Sequence, residues 1–284
     1  MRTVAVLGIL GLGMAIVVIG RGIDLSMIAS LAVPSAVVLG VAGAGYGVGI
    51  SLAAGLAFAV AIGVVNGFLV AYAEIPPLFT TLAVGIGVAG IGQSGLFEYE
   101  IVPWPASLND IAWIGQGTVW GIPYSVIAFG AAAVVVWILL RRTRLGVFVY
   151  SIGDNLNAAR IAGIPVRPMV ELQYILSSCI ALFAGLVLSA SSSNMDTRIF
   201  NLTWIYDVIL VVVLGGIGLS GGRGGVLNVV LGTLLIGTIV NGMTILDISF
   251  EMQNFIKGMV LLAALSLDSV INPRNEETAQ QGDI

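Results

Sequence analysis

The sequence predicts an all-α protein, a polytopic transmembrane helical bundle of about nine spans. Three observations predict it: a composition no water-facing surface could use, apolar stretches of membrane-crossing length, and basic residues gathered into a few loops. Hydrophobic residues make up 58% of the 284 positions and charged residues 9%, with a mean hydropathy of +1.07. Soluble domains carry about 25% charged residues. Glycine is high, at 38 residues; it costs about 1 kcal/mol against alanine in a soluble helix, but between membrane helices it lets backbones approach closely. Most of these glycines are read as packing residues.

A span needs about 20 mostly apolar residues. The candidates are 3–20, 25–44, 47–73, 78–96, 122–140, 170–192, 204–219, 225–244 and 253–271. The first follows Met1-Arg2 as a signal peptide would, yet no clear small-x-small cleavage site follows and the next segment is apolar again. It is read as a span. Segment 25–44 is interrupted by Asp24, Pro34 and several glycines, which makes it a candidate broken or re-entrant helix. Residues 1–271 thus form one transmembrane domain, and 272–284 form a polar tail.

The loops set the orientation. Residues 97–121 carry Glu98, Glu100, Asp110 and three tryptophans, with no Lys or Arg. Trp104, Trp113 and Trp120 suit the headgroup level. Residues 141–169 carry Arg141, Arg142, Arg144, Arg160 and Arg167. Positive charge marks the cytoplasmic side, so this loop is inside, and alternation puts Arg21, Arg223 and Arg274 inside with it. The N-terminus then falls outside, against the mild preference of Arg2. The C-terminal tail falls inside.

Several chemistries are excluded by what is missing. The chain has no histidine and one cysteine, so histidine relays, histidine metal sites and an internal disulfide are ruled out. Cys179 lies in an apolar run as a small core residue. No G-x-x-x-x-G-K-[ST] loop occurs, and without histidine no histidine-based catalytic triad can form. Gly221-Gly222-Arg223-Gly224-Gly225 reads as a tight turn between spans. No cofactor is implied, and the chain is not read as an enzyme.

The few polar residues within apolar segments are the candidates for function, because a charge at a span centre costs about 2.5–3.5 kcal/mol. Asp24 and Asp207 sit near span ends, where a cap or an interhelical hydrogen bond is the simpler role. Asn66-Gly67 and Asn241-Gly242 are Asn-Gly pairs inside long apolar runs. They hint at an internal repeat, although their spacing from other motifs differs.

The basic loop contains the most informative stretch, Gly153-Asp154-Asn155-Leu156-Asn157-Ala158-Ala159-Arg160-Ile161-Ala162-Gly163-Ile164-Pro165. Asp154 or Asn155 can cap a helix. Ala158, Ala159 and Ala162 give it a small-residue face, Gly163 can close it, and Pro165 stops it. The product is a helix of about two turns that presents alanines and one arginine, a shape that docks into a groove on another protein.

This loop resembles the ribose-type permeases of ABC importers, relatives of the branched-chain amino-acid permeases. The pattern G-D-N-x-x-A-A-R-x-x-G-I is matched at Gly153, Asp154, Asn155, Ala158, Ala159, Arg160, Gly163 and Ile164. Further matches run in order along the chain. They are Gly22-Ile23-Asp24-Leu25-Ser26, Asn66-Gly67, Ile75-Pro76-Pro77, Asp207, Leu219-Ser220-Gly221-Gly222-Arg223-Gly224, Asn241-Gly242 and Lys257-Gly258. The resemblance implies a permease subunit for a sugar or similar small polar solute, in the inner membrane of a bacterium. It implies that residues 153–164 form a coupling helix contacting a separate ATP-binding subunit. Its other implied partners are a second permease (copy or paralogue), a periplasmic solute-binding protein and membrane lipid, with no nucleic acid. Asp24, Ser26, Asn66, Asp207 and Asn241 are the implied pathway candidates.

The chain departs from the pattern at Arg21, where glycine is usual, and at Ile205, where glutamate is common. Family members also carry an amphipathic segment and one more span before this point, which would account for an N-terminus placed outside. Two other readings remain. One is a self-sufficient channel or ion-coupled transporter, which needs more ionisable groups within spans than are found here. The other is a shortened, non-transporting partner subunit.

Overall fold

The computed structural model describes residues 2–94, 100–201 and 203–271. Its helices are α1 (Arg2–Ile19), α2 (Met27–Gly43), α3 (Val48–Ala71), α4 (Pro77–Gln93), α5 (Tyr124–Arg142), α6 (Arg144–Asp154), α7 (Leu156–Ile161), α8 (Val166–Ser192), α9 (Trp204–Leu214), α10 (Val226–Ile245) and α11 (Phe250–Ile271). Each apolar segment found in the sequence holds one of them, while α6 and α7 fall in the basic loop. The polar tail from 272, with Arg274, and Glu98 lie outside the described residues.

Five helices, α1, α3, α5, α8 and α10, are long and apolar enough to cross a membrane, and α2, α4 and α9 are shorter apolar helices. For α2 the expectation of a broken helix needs correction. It is a single unbroken helix, with Pro34 inside it. Proline removes one N–H and crowds the preceding turn, but α2 is enclosed on nearly every side, and the helix continues past it.

α1 and α2 form the centre. α1 packs on α5, α8, α9 and α10, and α2 on α3, α4 and α8. α8 touches α1, α2 and α3 and ties the two halves together. The α3–α8 contact shows how the glycines are used. Gly55, Ala59, Gly63, Gly67 and Ala71 recur at every fourth position among the buried residues of α3, which places them in one stripe. A Cβ on Gly63 would overlap the backbone of Ile175, and one on Gly67 the Cα of Glu171. The helices touch backbone to backbone, as small-residue stripes allow in membranes.

The periphery is apolar. Phe79, Leu227, Leu234, Phe255 and Leu262 are each more than half exposed. A water-soluble chain rarely shows such continuous apolar surface; hydrocarbon or a partner helix suits it.

The loops gather in two groups. In one, the end of α1, the α6–α7 junction and the α9–α10 turn meet through Arg21, and Glu74 after α3 pairs with Arg167 at the start of α8 at 3.1 Å. These are the segments whose basic residues the sequence assigned to one side. In the other group, Ser107 donates to the Ala42 carbonyl at the end of α2, and Gln116 to the Ala190 carbonyl near the end of α8. This group holds two small ribbons that the helix-only expectation lacked. β1 (Ile101–Pro103) pairs antiparallel with β4 (Asn194–Asp196), and β2 (Thr118–Val119) pairs with β3 (Ile122–Pro123). Trp120 and Gly121 make the turn of the second ribbon, both at positive φ, the geometry of a tight two-residue hairpin.

Candidate functional site

α7 is defined at both ends by its own sequence. The Asn155 side chain accepts from the Ala158 N–H at 2.9 Å, so of the two capping candidates Asn155 serves α7 while Asp154 ends α6. At the other end Gly163 has φ of +80°. Its N–H donates to the Arg160 carbonyl, and the Ile164 N–H reaches back to Ala159, closing the helix with the glycine that left-handed φ requires. Pro165 then precedes α8.

The eight residues singled out in this stretch divide by burial. Gly153 and Ala159 point inward. Ala159 packs with Ile152 and Val166, and Gly153 is pressed between the Ile19 carbonyl and Gly222, where no side chain would fit. Asp154, Ala158, Arg160 and Gly163 are exposed, while Asn155 and Ile164 are half-buried. The exposed face also includes Ile161, at 89% exposure. The sequence offered Ile161 only as one more apolar residue next to Arg160.

Behind α7 lies Arg21. Its guanidinium donates to the carbonyls of Gly153 at 2.8 Å, Ser220 at 3.1 Å and Asp154 at 2.8 Å. Tyr150 of α6 donates to the Gly224 carbonyl at 2.8 Å, and the Gly222 N–H donates to Ile19 at 2.8 Å. The glycine turn is thus bound to both α1 and α6.

Three residues beyond Arg21 a buried polar cluster begins. The Asp24 carboxylate accepts from the Ser26 N–H at 3.0 Å, from the Ser26 hydroxyl, and from Ser177 of α8 at 2.7 Å. Asn66 of α3 donates to the Ser26 hydroxyl at 2.8 Å. Thr81 of α4 accepts from the Leu25 N–H at 3.0 Å and donates to Pro77 at 2.8 Å. Asp24, Ser26, Asn66 and Ser177 have no exposed surface, so three of the five pathway candidates come together but are sealed in this conformation. Ser177 was missed because a lone serine in an apolar run carries no signal of its own.

The other two candidates lie elsewhere. Asp207 of α9 pairs with Lys257 of α11 at 2.8 Å, both side chains about one-tenth exposed. A largely apolar groove of about 500 Å³, lined by Thr203, Tyr206, Phe255 and Met259 among others, runs beside this pair. Asn241 is exposed on α10.

The family model for the branched-chain amino-acid transport system permease component matches residues 1–265. The galactofuranose transporter permease protein of Escherichia coli is 33% identical over 93% of this chain and 77% of its own length. The ribose import permease protein of Bacillus subtilis is 32% identical, over 94% and 83%. The fructose import permease protein of Rhizobium meliloti is 29% identical, over 95% and 77%. No solved structure matches. With a helical body, an apolar periphery and a match across nearly its whole length, the chain belongs to the branched-chain amino-acid transport system permease family and is a multi-pass membrane permease.

Proposed function

We propose that this permease imports a sugar or a similar small polar solute, that nine helices cross the membrane, and that α7 receives the drive from a separate ATP-binding subunit. The observation that carries the reading is α7 itself. It is capped at both ends, fixed from behind by buried Gly153 and Ala159, and presents Arg160 and Ile161 outward. Such a rigid, amphipathic knob fits a groove on a partner.

The basic-loop end is then cytoplasmic, and α7 meets the ATP-binding subunit there. A second permease, copy or paralogue, covers part of the apolar periphery, and lipid covers the rest. The opposite end, with Trp113 and Trp120 exposed, lies at the outer headgroups and meets the periplasmic solute-binding protein. Asp24, Ser26, Asn66 and Ser177 act as an internal lock rather than a solute-touching surface. Thr238 and Asn241, exposed one helical turn apart on α10, line the pathway: an exposed amide against hydrocarbon is costly, and an aqueous route removes that cost.

The test uses surface substitutions. Removing residues 151–165 would also remove buried Ile152, Gly153 and Ala159 and confuse docking with folding. Arg160→Glu and Ile161→Asp leave the buried side intact. Wild-type chain co-purified in mild detergent is expected to retain the ATP-binding subunit, and the double variant to lose it while remaining monodisperse. Retention by the double variant would refute the docking role. Uptake that persists without any ATP-binding subunit and collapses with the ion gradient would replace the importer by an ion-coupled transporter.

A further inference from the structure

We infer that Arg21 is a positioning residue that transmits movement of α7 to the buried Asp24 cluster. The inference rests on the docking role proposed above for α7. Arg21 stands at φ of +69°, a backbone region that favours glycine and is strained for a long side chain. The arginine here uses its side chain on three carbonyls. Two of these, Gly153 and Asp154, belong to the α6–α7 junction, and the third, Ser220, to the α9–α10 turn. The guanidinium fork can hold several acceptors at once in fixed directions.

The segment on the other side of Arg21 has no slack. A Cβ on Gly20 would overlap Gln173, and one on Gly22 would lie 2.7 Å from the Tyr174 hydroxyl and from Val17. Residues 20–24 therefore lie flat against α1 and α8, and they end at Asp24, which is fixed by Ser26 and Ser177. A shift of the Gly153 and Asp154 carbonyls pulls the guanidinium. The strap passes it on to Asp24, and through Ser26 to Asn66 of α3. Closely packed elements transmit displacement rather than absorb it.

Hydrogen exchange tests this on the purified full chain in detergent, with and without the ATP-binding subunit. In wild type the subunit is expected to slow exchange at 156–163 and also to change it at 24–27. In Arg21→Ala and Arg21→Gly, protection at 156–163 is expected to remain while the change at 24–27 disappears. Arg21→Gly accommodates the positive φ and guards against a folding defect. Without the subunit, both variants are expected to exchange about tenfold faster at the amides of Asn155 and Gly222, as losing a charged hydrogen bond implies. An undiminished change at 24–27 in both variants would overturn the inference and leave the docking role standing. Absence of protection at 156–163 in wild type would overturn the docking role, and the transmission with it.

Discussion

The Ser177 hydroxyl donates to the Asp24 carboxylate at 2.7 Å, joining the middle of α8 to the start of α2 in a site with no solvent exposure. Hydrogen bonds to charged groups contribute about 1.5–3 kcal/mol, and a buried acceptor that loses its donor bears the full desolvation cost. Ser177→Ala should therefore lower stability by about 2 kcal/mol, and Asp24→Leu by more, because it strands the Ser26 and Ser177 hydroxyls together. Thermal unfolding in detergent reads both. A Ser177→Ala midpoint equal to wild type would show that the lock contributes nothing.

Asp207 and Lys257 make a second buried pair, at 2.8 Å. Removing one partner from such a pair costs about 3–5 kcal/mol, whereas replacing both with apolar residues of similar volume is often close to neutral. Lys257→Met should be strongly destabilising and Asp207→Leu/Lys257→Met much less so. Four unfolding curves give the coupling energy. Additive single and double effects would mean that the pair is too well solvated to matter.

The helices were legible because a membrane helix advertises itself: about 20 apolar residues between polar breaks, without the partner information a sheet requires. Pro34 misled the reading of α2 because a proline's effect depends on enclosure, and enclosure is a tertiary property. β1 and β4 were not legible because Val102 and Met195 find each other across α5 and α8. In the site, Asn155 and Gly163 could be read from local capping chemistry. The burial of Gly153 could not, because it depends on Ile19 and Gly222, both distant in the chain. Arg21 looked like a misfit at a glycine position until its three carbonyl partners were in view.

Gly63 and Gly67 make a packing prediction. Because an added Cβ meets backbone of α8 rather than a movable side chain, Gly63→Leu must separate the two helices. Overpacking of this kind costs about 1–3 kcal/mol, and occasionally more. Gly87 of α4 has open space around it, so Gly87→Leu should be well tolerated. Comparing folded yield in detergent for the two variants checks this, and equal yields would argue against backbone contact along α3.

Acid should loosen the β1–β4 ribbon before the bundle. The Arg198 guanidinium hydrogen-bonds the Asp196 carboxylate at 3.0 Å and holds it below the usual carboxylate range, and Glu100 lies 3.3 Å from the same arginine. A depressed carboxylate contributes stability above its unfolded pKa, and that stability is lost as pH falls through the folded one. These side chains are about half exposed, so the effect is small and salt-sensitive. Hydrogen exchange at 101–103 and 194–196 should rise toward acid pH, while the α3–α8 amides stay protected. No pH dependence at the ribbon would mean that backbone pairing alone holds it.

The caps of α7 allow its shape to be tested apart from its surface. Asn155→Ala removes the bond to the Ala158 N–H, a loss of about 1 kcal/mol for a typical N-cap. Gly163→Val forces a β-branched residue into φ of +80°, which is strongly disfavoured. A six-residue helix cannot sustain itself without tertiary support, so either change should fray α7 while Arg160 and Ile161 keep their identities. If docking depends on a rigid helix, both variants should bind the ATP-binding subunit several-fold more weakly than wild type, and the double variant more weakly still. Binding at wild-type strength by Asn155→Ala/Gly163→Val would mean that the partner folds α7 on contact, and that recognition resides in the side chains of Arg160 and Ile161 rather than in a preformed helix.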